Sequence, residues 1–400
     1  MNILYVSTYN DEKFFKYVFD TAKIKPIQSI QKFNKLLVTG FEQNKYVDKI
    51  FVLTTANIGP KMSKKLFWKG KNKKINKTEF IYLPFLNIKF IKQMCIAFFG
   101  FIYLLYWCIL NHRKESILIS DGFFPVVSTI ANLLCKIFKI PVVTLYTDLI
   151  KILANDKIEK KSILRIFVKK ILSLGDIISI NTSDMFIFLT EHMTNVINKK
   201  NKPYIVIEGL VDSELTITSC FERKKAIMYA GGLYEKYGVK LLIDSFLKWD
   251  NNEYELWLCG TGDLDSYILS LNNSRIKYFG AIQNEIVVQK EQECMLLVNP
   301  RFSNEEYTMY SFPSKNMEYM MSGTPVLTTR LPGIPKEYNK YIYFIEQETE
   351  EGLINEFNKI LLTNEDFLKT GKKAQKFVRT HKNNIVQSNK IVSFIMDKLN

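Results

Sequence analysis

The chain has few of the residues that hold metal ions or carry thiol chemistry. Its 400 residues include only three histidines, His112, His192 and His381, none of which lies near another plausible metal ligand in the sequence. The cysteines are widely spread, with neither metal-ligand nor redox spacing. They are Cys95, Cys108, Cys135, Cys220, Cys259 and Cys294. We therefore expect reduced, buried thiols, no metal ion and no other cofactor.

Signals for secretion or membrane spanning are also weak. The sequence opens directly into the apolar run Asn2 to Ser7, without a basic start and a cleavable apolar stretch. Met94 to Leu110 is apolar or small throughout, but about 17 residues is the lower limit for a spanning helix. Basic residues at both of its ends give no bias in orientation. We expect a protein that stays inside the cell, with this helix packed on a sheet and one face against lipid.

Composition excludes disorder and predicts an anionic partner. Apolar residues make up 47% of the chain and aromatic residues 14%, which is ample material for a core. A length of 400 residues exceeds the size at which one core keeps growing, so two domains are expected. The net charge of +15 fits nucleic acid, an anionic membrane or a phosphorylated substrate, and charge alone does not choose among them.

Short apolar runs alternate with helical stretches along both halves of the chain, which predicts parallel sheets covered by helices. We expect two doubly wound domains. The first covers residues 1–203, the second covers residues 204–379, and the helices at about 380–400 are expected to pack back on the first. The predicted strands are Ile3 to Val6, Ile50 to Leu53, Ile117 to Ile119, Val142 to Leu145, Ile177 to Ile180, Ile205 to Ile207, Ala226 to Tyr229, Tyr254 to Leu258, Ile276 to Tyr278, Met295 to Val298 and Val326 to Thr328. Ligands of such sheets bind beyond the carboxyl ends of the strands, so a cleft between the two domains is expected.

The segment Tyr310 to Leu327 has the order of a phosphate-binding helix followed by a strand. Pro313 suits the first helical turn, and the amides near Ser314 and Lys315 would carry the positive end of the helix dipole. Glu318 lies four residues after Ser314, on the same face, where its carboxylate could reach a vicinal diol. A nucleoside diphosphate fits this spacing. The alternative is an ordinary amphipathic helix that ends at a glycine.

Two other strand ends carry glycines. Gly231 and Gly232 follow a predicted strand, and Lys236 would then meet phosphate oxygens. Cys259 to Asp263 repeats the pattern after the next strand. The alternative for both is a tight turn, with a solvated lysine in the first case and a helix-capping Asp263 in the second.

Taken in order, these segments resemble retaining GT-B glycosyltransferases of the bacterial polysaccharide type, known as group 1 or family 4-like. The resemblance covers roughly Ala226 to Tyr338, whereas the first half matches only in overall pattern and in Ile207 to Asp212, which is similar to the family's interdomain crossing. The motifs that carry it are Gly231-Gly232 with Lys236-Tyr237-Gly238, Cys259-Gly260-Thr261-Gly262, Phe279-Gly280-Ala281, Asn299-Pro300-Arg301, Glu318 to Val326 and Pro332-Gly333-Ile334-Pro335.

The resemblance implies roles for individual residues. Glu318 matches the second Glu of the family's Glu-seven-spacer-Glu motif, which binds the ribose of the nucleotide. The diphosphate would be bound by Ser311, Phe312, Pro313, Ser314 and Lys315. The nucleobase would be bordered by Gly280, Ala281 and Ile282. The family's usual proposal is a front-face reaction in which the departing phosphate helps to deprotonate the acceptor, and it needs no metal.

Two positions depart from the family pattern. Tyr310 stands where the first Glu of the motif is expected, and Gly232 stands where an Arg usually follows the glycine of the phosphate loop. Either the enzyme is inactive, or Arg301, Lys236 and Lys315 replace the missing charge. We favour the second interpretation, because Arg301 directly follows a strand end and Lys315 lies in a first helical turn, where cations are otherwise disfavoured.

The first half offers two acidic residues at strand ends for the acceptor. Asp121 and Asp148 could each orient a sugar hydroxyl, and Asp148 could act as a general base if it lies within hydrogen-bond reach. The alternative is that each caps a helix.

Basic residues mixed with apolar ones predict contact with an anionic membrane surface. One such cluster is Lys61 to Lys74, and the second runs from Lys157 to Lys170. Both belong to the same half as Met94 to Leu110, which a lipid-linked acceptor would explain. The alternative is a solvated loop and a helix with a charged outer side.

The predicted function is sugar transfer from a nucleotide-sugar to a glycan or lipid-linked acceptor in cell-surface polysaccharide synthesis. We expect a cytoplasmic enzyme, peripheral on the inner face of the plasma membrane. A sugar-nucleotide epimerase of the same architecture and a catalytically silent nucleotide-binding scaffold remain as alternatives. Nucleic acid is the least favoured partner, because no recognition module accompanies the basic residues.

Overall fold

The computed structural model describes residues 1–26, 28–122, 124–147, 149, 174–215, 222–363 and 366–399. The chain divides into two compact units. One consists of Met1–Leu210 with Asn384–Asn400, and the other of Val211–Asn383. Each has its own sheet and its own buried apolar clusters.

The first unit is built on an eight-stranded sheet in the order β10-β9-β8-β7-β1-β2-β5-β4. Its pairs are parallel except for β4 with β5 at the edge, and a separate antiparallel pair joins β3 to β6. Most of the parallel strands are buried on both faces, which explains why they are continuous apolar runs. The strands are β1 (Asn2–Val6), β2 (Lys49–Thr54), β3 (Phe67–Trp68), β4 (Lys71–Ile75), β5 (Thr78–Tyr82), β6 (Phe85–Leu86), β7 (Ser116–Asp121), β8 (Val142–Tyr146), β9 (Met185–Phe188) and β10 (Tyr204–Val206).

Helices cover both faces of this sheet. The last helix of the chain, Asn384–Leu399, belongs to this unit and packs on the Gln28–Gln43 helix. Gly40 permits that contact, because a Cβ atom there would lie 2.3 Å from the carbonyl oxygen of Asn384. The described helices are Glu12–Thr21, Gln28–Gln43, Ile91–Asn111, Pro125–Ile137, residues 174–182, Thr194–Ile197 and Asn384–Leu399, with a 3-10 turn at Glu191–Met193.

The second unit contains a six-stranded, wholly parallel sheet in the order β13-β12-β11-β14-β15-β16. Its strands are β11 (Lys224–Ala230), β12 (Glu255–Cys259), β13 (Ile276–Gly280), β14 (Cys294–Asn299), β15 (Val326–Thr329) and β16 (Tyr343–Ile345). Its α-helices are Val239–Lys248, Asp265–Ser270, Asn284–Glu293, Ser314–Ser322, Glu350–Phe357 and Phe367–His381. Shorter helical turns are Glu235–Tyr237, Glu306–Met309, Lys336–Lys340 and the π-helical Asn358–Leu362.

One predicted strand is wrong. Residues 177–180 lie in a helix, and the strand of that region is β9, a few residues later. A run of four residues is too short for periodicity to separate a strand from a helix. The sequence also missed β3 to β6 and β16. The last residues of the Lys61 to Lys74 cluster belong to the edge strand Lys71–Ile75. Its lysines are typical of edges that are protected from pairing with another chain.

The division between the units falls between Leu210 and Val211, within the segment that resembles the family's crossing. The sequence placed the boundary at residue 203. The structure differs because β10 pairs with β9 in the first sheet and Ile207 is buried in the first unit's core. The second crossing lies between Asn383 and Asn384, just after the predicted boundary at residue 379.

The close contact at Gly40 leads to a prediction about the stability of the fold. We expect Gly40→Ala to lower the free energy of unfolding by roughly 1–3 kcal/mol, because the new methyl group would also lie within 2.8 Å of Ser388 Cβ. Urea denaturation is the measurement. Gly59→Ala is the control, since its Cβ would have Met62 Sδ as nearest neighbour at 3.7 Å. Equal stability of the two variants would contradict this account of the C-terminal helix.

Candidate active site

The predicted phosphate-binding helix is present with the predicted start and end. It spans Ser314–Ser322, with Pro313 at the N-cap and its carbonyl accepting a hydrogen bond from the Asn316 amide at 2.8 Å. Gly323 ends it in the left-handed conformation with φ of 79°, and β15 begins at Val326. The first amides of a helix have no acceptor within it and carry the positive end of its dipole. This end is therefore suited to an anion.

A buried polar network fixes the start of this helix to the carboxyl ends of two strands. The Asn299 side-chain amide donates to Asn316 Oδ1 at 2.8 Å, and Asn316 Nδ2 donates to Thr328 Oγ1 at 3.3 Å. The Thr328 hydroxyl donates to the Asn299 carbonyl at 3.1 Å. Asn299 is the last residue of β14 and Thr328 belongs to β15, so the helix start is held beside both strand ends.

Glu318, the predicted ribose ligand, forms an ion pair on this helix. Its carboxylate lies 2.9 Å from the ammonium of Lys315, and the two side chains are 26% and 32% exposed. Burial opposes the Lys315 cation, but the carboxylates of Glu318 and Glu291 outweigh that effect and raise the pKa of Lys315 above its ordinary value. Glu318 therefore stays accessible to a ligand, with a cation beside it.

The residues that precede the helix include an unused hydrogen-bonding group. The Ser311 hydroxyl oxygen is buried and makes no hydrogen bond with any residue that the structure describes. Phe312 is buried in the core, where its ring centroid lies 5.3 Å from that of Tyr338, while Ser314 is exposed in the first turn. The exposed side chain of Ser314 can thus reach a ligand, while Phe312 anchors the segment.

The glycine loops predicted to contact the ligand are joined by backbone hydrogen bonds. The amide of Gly231 donates to the Cys259 carbonyl at 2.9 Å, and the amide of Gly260 donates to the Gly280 carbonyl at 2.8 Å. Gly260 has φ of 128°, and a Cβ there would lie 1.8 Å from the Gly231 carbonyl oxygen. The ends of β11, β12 and β13 thus approach one another as only glycine allows.

Gly232, where the resemblance predicts an arginine, has little room for a side chain. Its carbonyl accepts a hydrogen bond from the Tyr229 hydroxyl at 3.0 Å, and a Cβ at this position would lie 2.6 Å from the Tyr234 ring. Ala281 is exposed, and Ile282 packs against the apolar cluster that also contains Phe312. A longer side chain at position 232 would have to displace Tyr234.

The hydroxyl of Tyr319 connects the helix to the first glycine loop. Tyr319 is fully buried, and its hydroxyl accepts a hydrogen bond from the Ala230 amide at 2.8 Å and donates to the Ala230 carbonyl at 3.1 Å. Ala230 immediately precedes Gly231. One side chain next to Glu318 therefore sets the position of the helix relative to the Gly231-Gly232 loop.

Two of the three cations predicted to replace the missing charge, Lys236 and Arg301, approach the same aromatic ring. The Lys236 ammonium lies 5.2 Å from the centroid of the Tyr237 ring, and the guanidinium carbon of Arg301 lies 5.0 Å from it. Lys236 is exposed and Arg301 half-buried. Cations over an aromatic face are attracted to it, so Tyr237 holds both charges in one region.

The acidic residues predicted for the acceptor belong to the first unit. Asp121 is the last residue of β7 and is only 1% exposed, and its carbonyl accepts a hydrogen bond from the Ser128 hydroxyl at 2.7 Å. A sugar hydroxyl has little access to a side chain so deeply buried, and the role of Asp121 stays a prediction. Asp148 and the basic cluster from Lys157 to Lys170 lie outside the described residues.

Sequence reasoning missed Asn316, Asn299 and Tyr319. A signal for two of them was present, because Asn316 and Tyr319 are polar groups three residues apart on the side of the helix opposite the exposed Ser314. Among the described residues, no group of three or more His, Cys, Asp and Glu side chains could hold a metal ion. The expectation of a metal-independent reaction stays a prediction.

Comparison with known proteins supports the predicted class. Residues 224–363 match the family model described as Glycosyl transferases group 1. No curated protein sequence matches the chain. The second unit thus contains the part of the chain that a family model recognises.

Solved structures match the whole chain at low identity. HepE (Alr3699) of Anabaena, in complex with UDP, is 12% identical with a TM-score of 0.62, over 99% of this chain and 100% of that one. The lipopolysaccharide outer core galactosyltransferase WaaB in apo form is 14% identical with a TM-score of 0.62, over 100% of both chains. The pneumococcal O-GlcNAc transferase GtfA, in complex with UDP and GlcNAc, is 10% identical with a TM-score of 0.59, over 100% of this chain and 99% of that one. These similarities confirm the predicted GT-B fold of two Rossmann-like domains.

We predict that Tyr319→Phe loosens the Gly231-Gly232 loop. The substitution removes two hydrogen bonds to the backbone of Ala230 in a buried site, which costs about 1–3 kcal/mol of unfolding free energy. Amide exchange at residues 231–233 should accelerate in the same variant. Tyr46→Phe, at a tyrosine that is 47% exposed, is the control and should change neither quantity. Unchanged exchange in Tyr319→Phe would show that the hydroxyl does not hold the loop.

Proposed function

We propose that this chain is a glycosyltransferase of the group 1, GT-B type, as its sequence predicted, and that it transfers a sugar from a nucleoside-diphosphate donor to a glycan or lipid-linked acceptor. We further propose that the anomeric configuration is retained and that the product belongs to a cell-surface polysaccharide. The observation that carries the donor half of this proposal is the Ser314–Ser322 helix, whose start is fixed beside the carboxyl ends of β14 and β15.

The donor diphosphate would bind at the start of this helix. The free amides at Ser314 and Lys315, the unused Ser311 hydroxyl and the Lys315 ammonium are all suited to phosphate oxygens. Glu318 would accept hydrogen bonds from the ribose hydroxyls one turn later. The exposed Ala281, with Gly280 and Ile282, would border the nucleobase. HepE and GtfA are complexed with UDP, which makes UDP-sugars the first donors to test.

The reaction breaks the bond between the anomeric carbon and the diphosphate oxygen and forms a bond from that carbon to an acceptor oxygen. The acceptor proton passes to the departing phosphate, whose negative charge grows as the bond breaks. Hydrogen-bond donors and cations directed at this charge supply the largest part of the rate enhancement. Lys236 and Arg301, held around Tyr237, are our candidates for this role, and they would replace the arginine that Gly232 lacks.

A catalytically silent nucleotide-binding protein is the second candidate function. The observation that favours it is Tyr310, where the resemblance predicts a Glu, and nucleotide binding without turnover would be its signature. An epimerase of the same architecture would convert the nucleotide-sugar without any acceptor. Product analysis with and without acceptor separates these two alternatives from transfer.

We also propose that the enzyme is cytoplasmic and binds an anionic membrane surface through its first unit. The Ile91–Asn111 helix is the one helix among the described residues that is long and apolar enough to cross a membrane. Ile96, Gly100, Leu104 and Trp107 of this helix are buried against the core. The opposite face exposes Met94, Phe98 and Tyr106, at 69%, 61% and 60%. A helix with one face in a protein core and the other exposed is suited to lie in the membrane surface.

We predict that one nucleotide raises the melting temperature of the chain and that Glu318→Ala removes this effect. Loss of a hydrogen-bonding carboxylate should weaken the nucleotide by about 1.5–3 kcal/mol, or roughly tenfold to a hundredfold. The measurement is a thermal-shift titration with UDP, ADP and GDP and their sugars. Glu351→Ala, at an exposed carboxylate in the first turn of another helix, is the control. Full nucleotide binding by Glu318→Ala would refute the assignment of the ribose site.

We predict that vesicle binding depends on the outer face of the Ile91–Asn111 helix. Phe98→Ser should weaken binding to vesicles of phosphatidylglycerol and phosphatidylcholine by about tenfold, because a large apolar side chain contributes about 1.5–3 kcal/mol when buried. Co-sedimentation is the measurement. Leu269→Ser, at a position in the second unit that is 71% exposed, is the matched control. If both variants bind like the parent chain, the helix face has no such role.

A further inference from the structure

Two segments that are separate in the sequence meet beyond the carboxyl ends of β2 and β5. β3 pairs with β6 in antiparallel register, with Phe67 opposite Leu86. The segment after β6 leads directly into the Ile91–Asn111 helix, whose first turn is joined to it by the hydrogen bond from the Lys92 amide to the Ile88 carbonyl at 2.9 Å. We call residues 61–69 and 86–94 together the basic tip.

The interior of the basic tip is well fixed. Trp68 is buried, its ring stacks on that of Phe85 with centroids 6.1 Å apart, and its indole N–H donates to the Lys65 carbonyl at 3.1 Å. The side-chain amide of the buried Asn87 donates to the carbonyls of Gly59 and Ser63 at 3.3 and 3.2 Å. These contacts make a rigid base for the exposed residues.

The outer surface of the basic tip is apolar. Leu66 and Phe67 are 60% and 55% exposed, although they directly precede the buried Trp68. Ile88 and Phe90 are each 41% exposed, and Met94 is 69% exposed. Phe90 has φ of 67° and ψ of −46°, a conformation that bulky residues rarely adopt and that costs about 1–3 kcal/mol. An aromatic side chain is thus exposed at a position whose backbone conformation is unfavourable.

The charged side chains of these segments have one sign. Residues 49–78 and 80–114 contain no aspartate and no glutamate. Lysines are interspersed with the apolar residues in these segments, and the exposed ones are Lys61, Lys64, Lys65, Lys69 and Lys89. Lys92 differs, because burial lowers its pKa to about 8 and its ammonium donates to the Ile58 carbonyl. Exposed apolar side chains interspersed with lysines are suited to an anionic lipid surface. Each lysine near such a surface contributes roughly 1 kcal/mol to the binding free energy.

We propose that the basic tip inserts Leu66, Phe67, Ile88 and Phe90 into an anionic lipid leaflet while its lysines bind the lipid headgroups. The proposal rests on the membrane location proposed above and specifies its contact. It would bring the carboxyl ends of β2 and β5, where a doubly wound sheet binds ligands, close to the lipid surface. A lipid-linked acceptor would then reach the first unit without leaving the membrane.

The experiment measures binding of the full chain to vesicles of phosphatidylglycerol and phosphatidylcholine, and to phosphatidylcholine alone. We expect Phe67→Ser and Ile88→Ser each to weaken binding to the anionic vesicles about tenfold. Ile286→Ser is the matched control, since Ile286 is 42% exposed in the second unit. Thermal melting of each variant in the absence of vesicles verifies that it is folded.

A second measurement locates the inserted residues. We expect the tryptophan added by Leu66→Trp to be quenched by lipids with brominated acyl chains, and the one added by Leu269→Trp to be unaffected. Unchanged affinity of both serine variants, or an unquenched Leu66→Trp, would overturn the proposal. Equal binding to vesicles with and without phosphatidylglycerol would overturn it too, since the lysines would then have no role.

The outcomes also separate this inference from the proposed function. If Phe98→Ser weakens vesicle binding and the basic tip variants do not, the helix face binds lipid and the tip does not. If the parent chain binds no vesicles, the membrane location fails together with the tip. The nucleotide titration is independent of either result, so the donor site can stand when the membrane contact falls.

Discussion

The second unit depends on burying polar side chains that connect one helix to the ends of the sheet. Asn316 and Tyr319 lie on the buried side of the Ser314–Ser322 helix, where an apolar residue would need no hydrogen-bond partner. Each is satisfied by groups from strand ends, Asn316 by Asn299 and Thr328 and Tyr319 by the backbone of Ala230. Burying a polar group without its hydrogen-bond partner costs free energy. The helix therefore has few other stable positions relative to the strands. The amides at the helix start are thereby held where an anion can reach them.

Glycine supplies the complementary constraint. The loops after β11 and β12 approach so closely that Cβ atoms at Gly260 and Gly262 would lie 1.8 and 2.1 Å from backbone oxygens of the neighbouring loop. Gly238 is limited in the same way by the Pro300 carbonyl oxygen, at 1.8 Å from its Cβ position. The result is a surface made mostly of backbone, which can lie close to a ligand. The side chains of Lys236 and Arg301 then add positive charge beside this backbone surface.

Much of this arrangement could be predicted from the sequence, because its local signals agree with the final structure. Proline before Ser314 and glycine after Ser322 gave the bounds of the key helix, and apolar runs located most strands. The partners of Asn316 and Tyr319 could not be predicted, since they come from distant segments whose proximity depends on the whole sheet. The strand predicted at residues 177–180 was wrong for a local reason, because a short apolar run has no periodicity that separates a strand from a helix. The strand Lys71–Ile75 was hidden by its lysines, which an edge strand tolerates and a central strand would not.

The departure at Tyr310 can be interpreted through the charges that surround it. Glu318 is already paired with Lys315, so the carboxylate and the ammonium nearly cancel at the start of the helix. A second glutamate at position 310 would add negative charge next to Ser311, where the proposed diphosphate would carry negative charge of its own. Because Tyr310 replaces this glutamate, the site would require less cationic charge. Under the proposed function, Lys236 and Arg301 would supply the cationic charge in place of the arginine missing at Gly232. The two departures from the family pattern would then compensate one another.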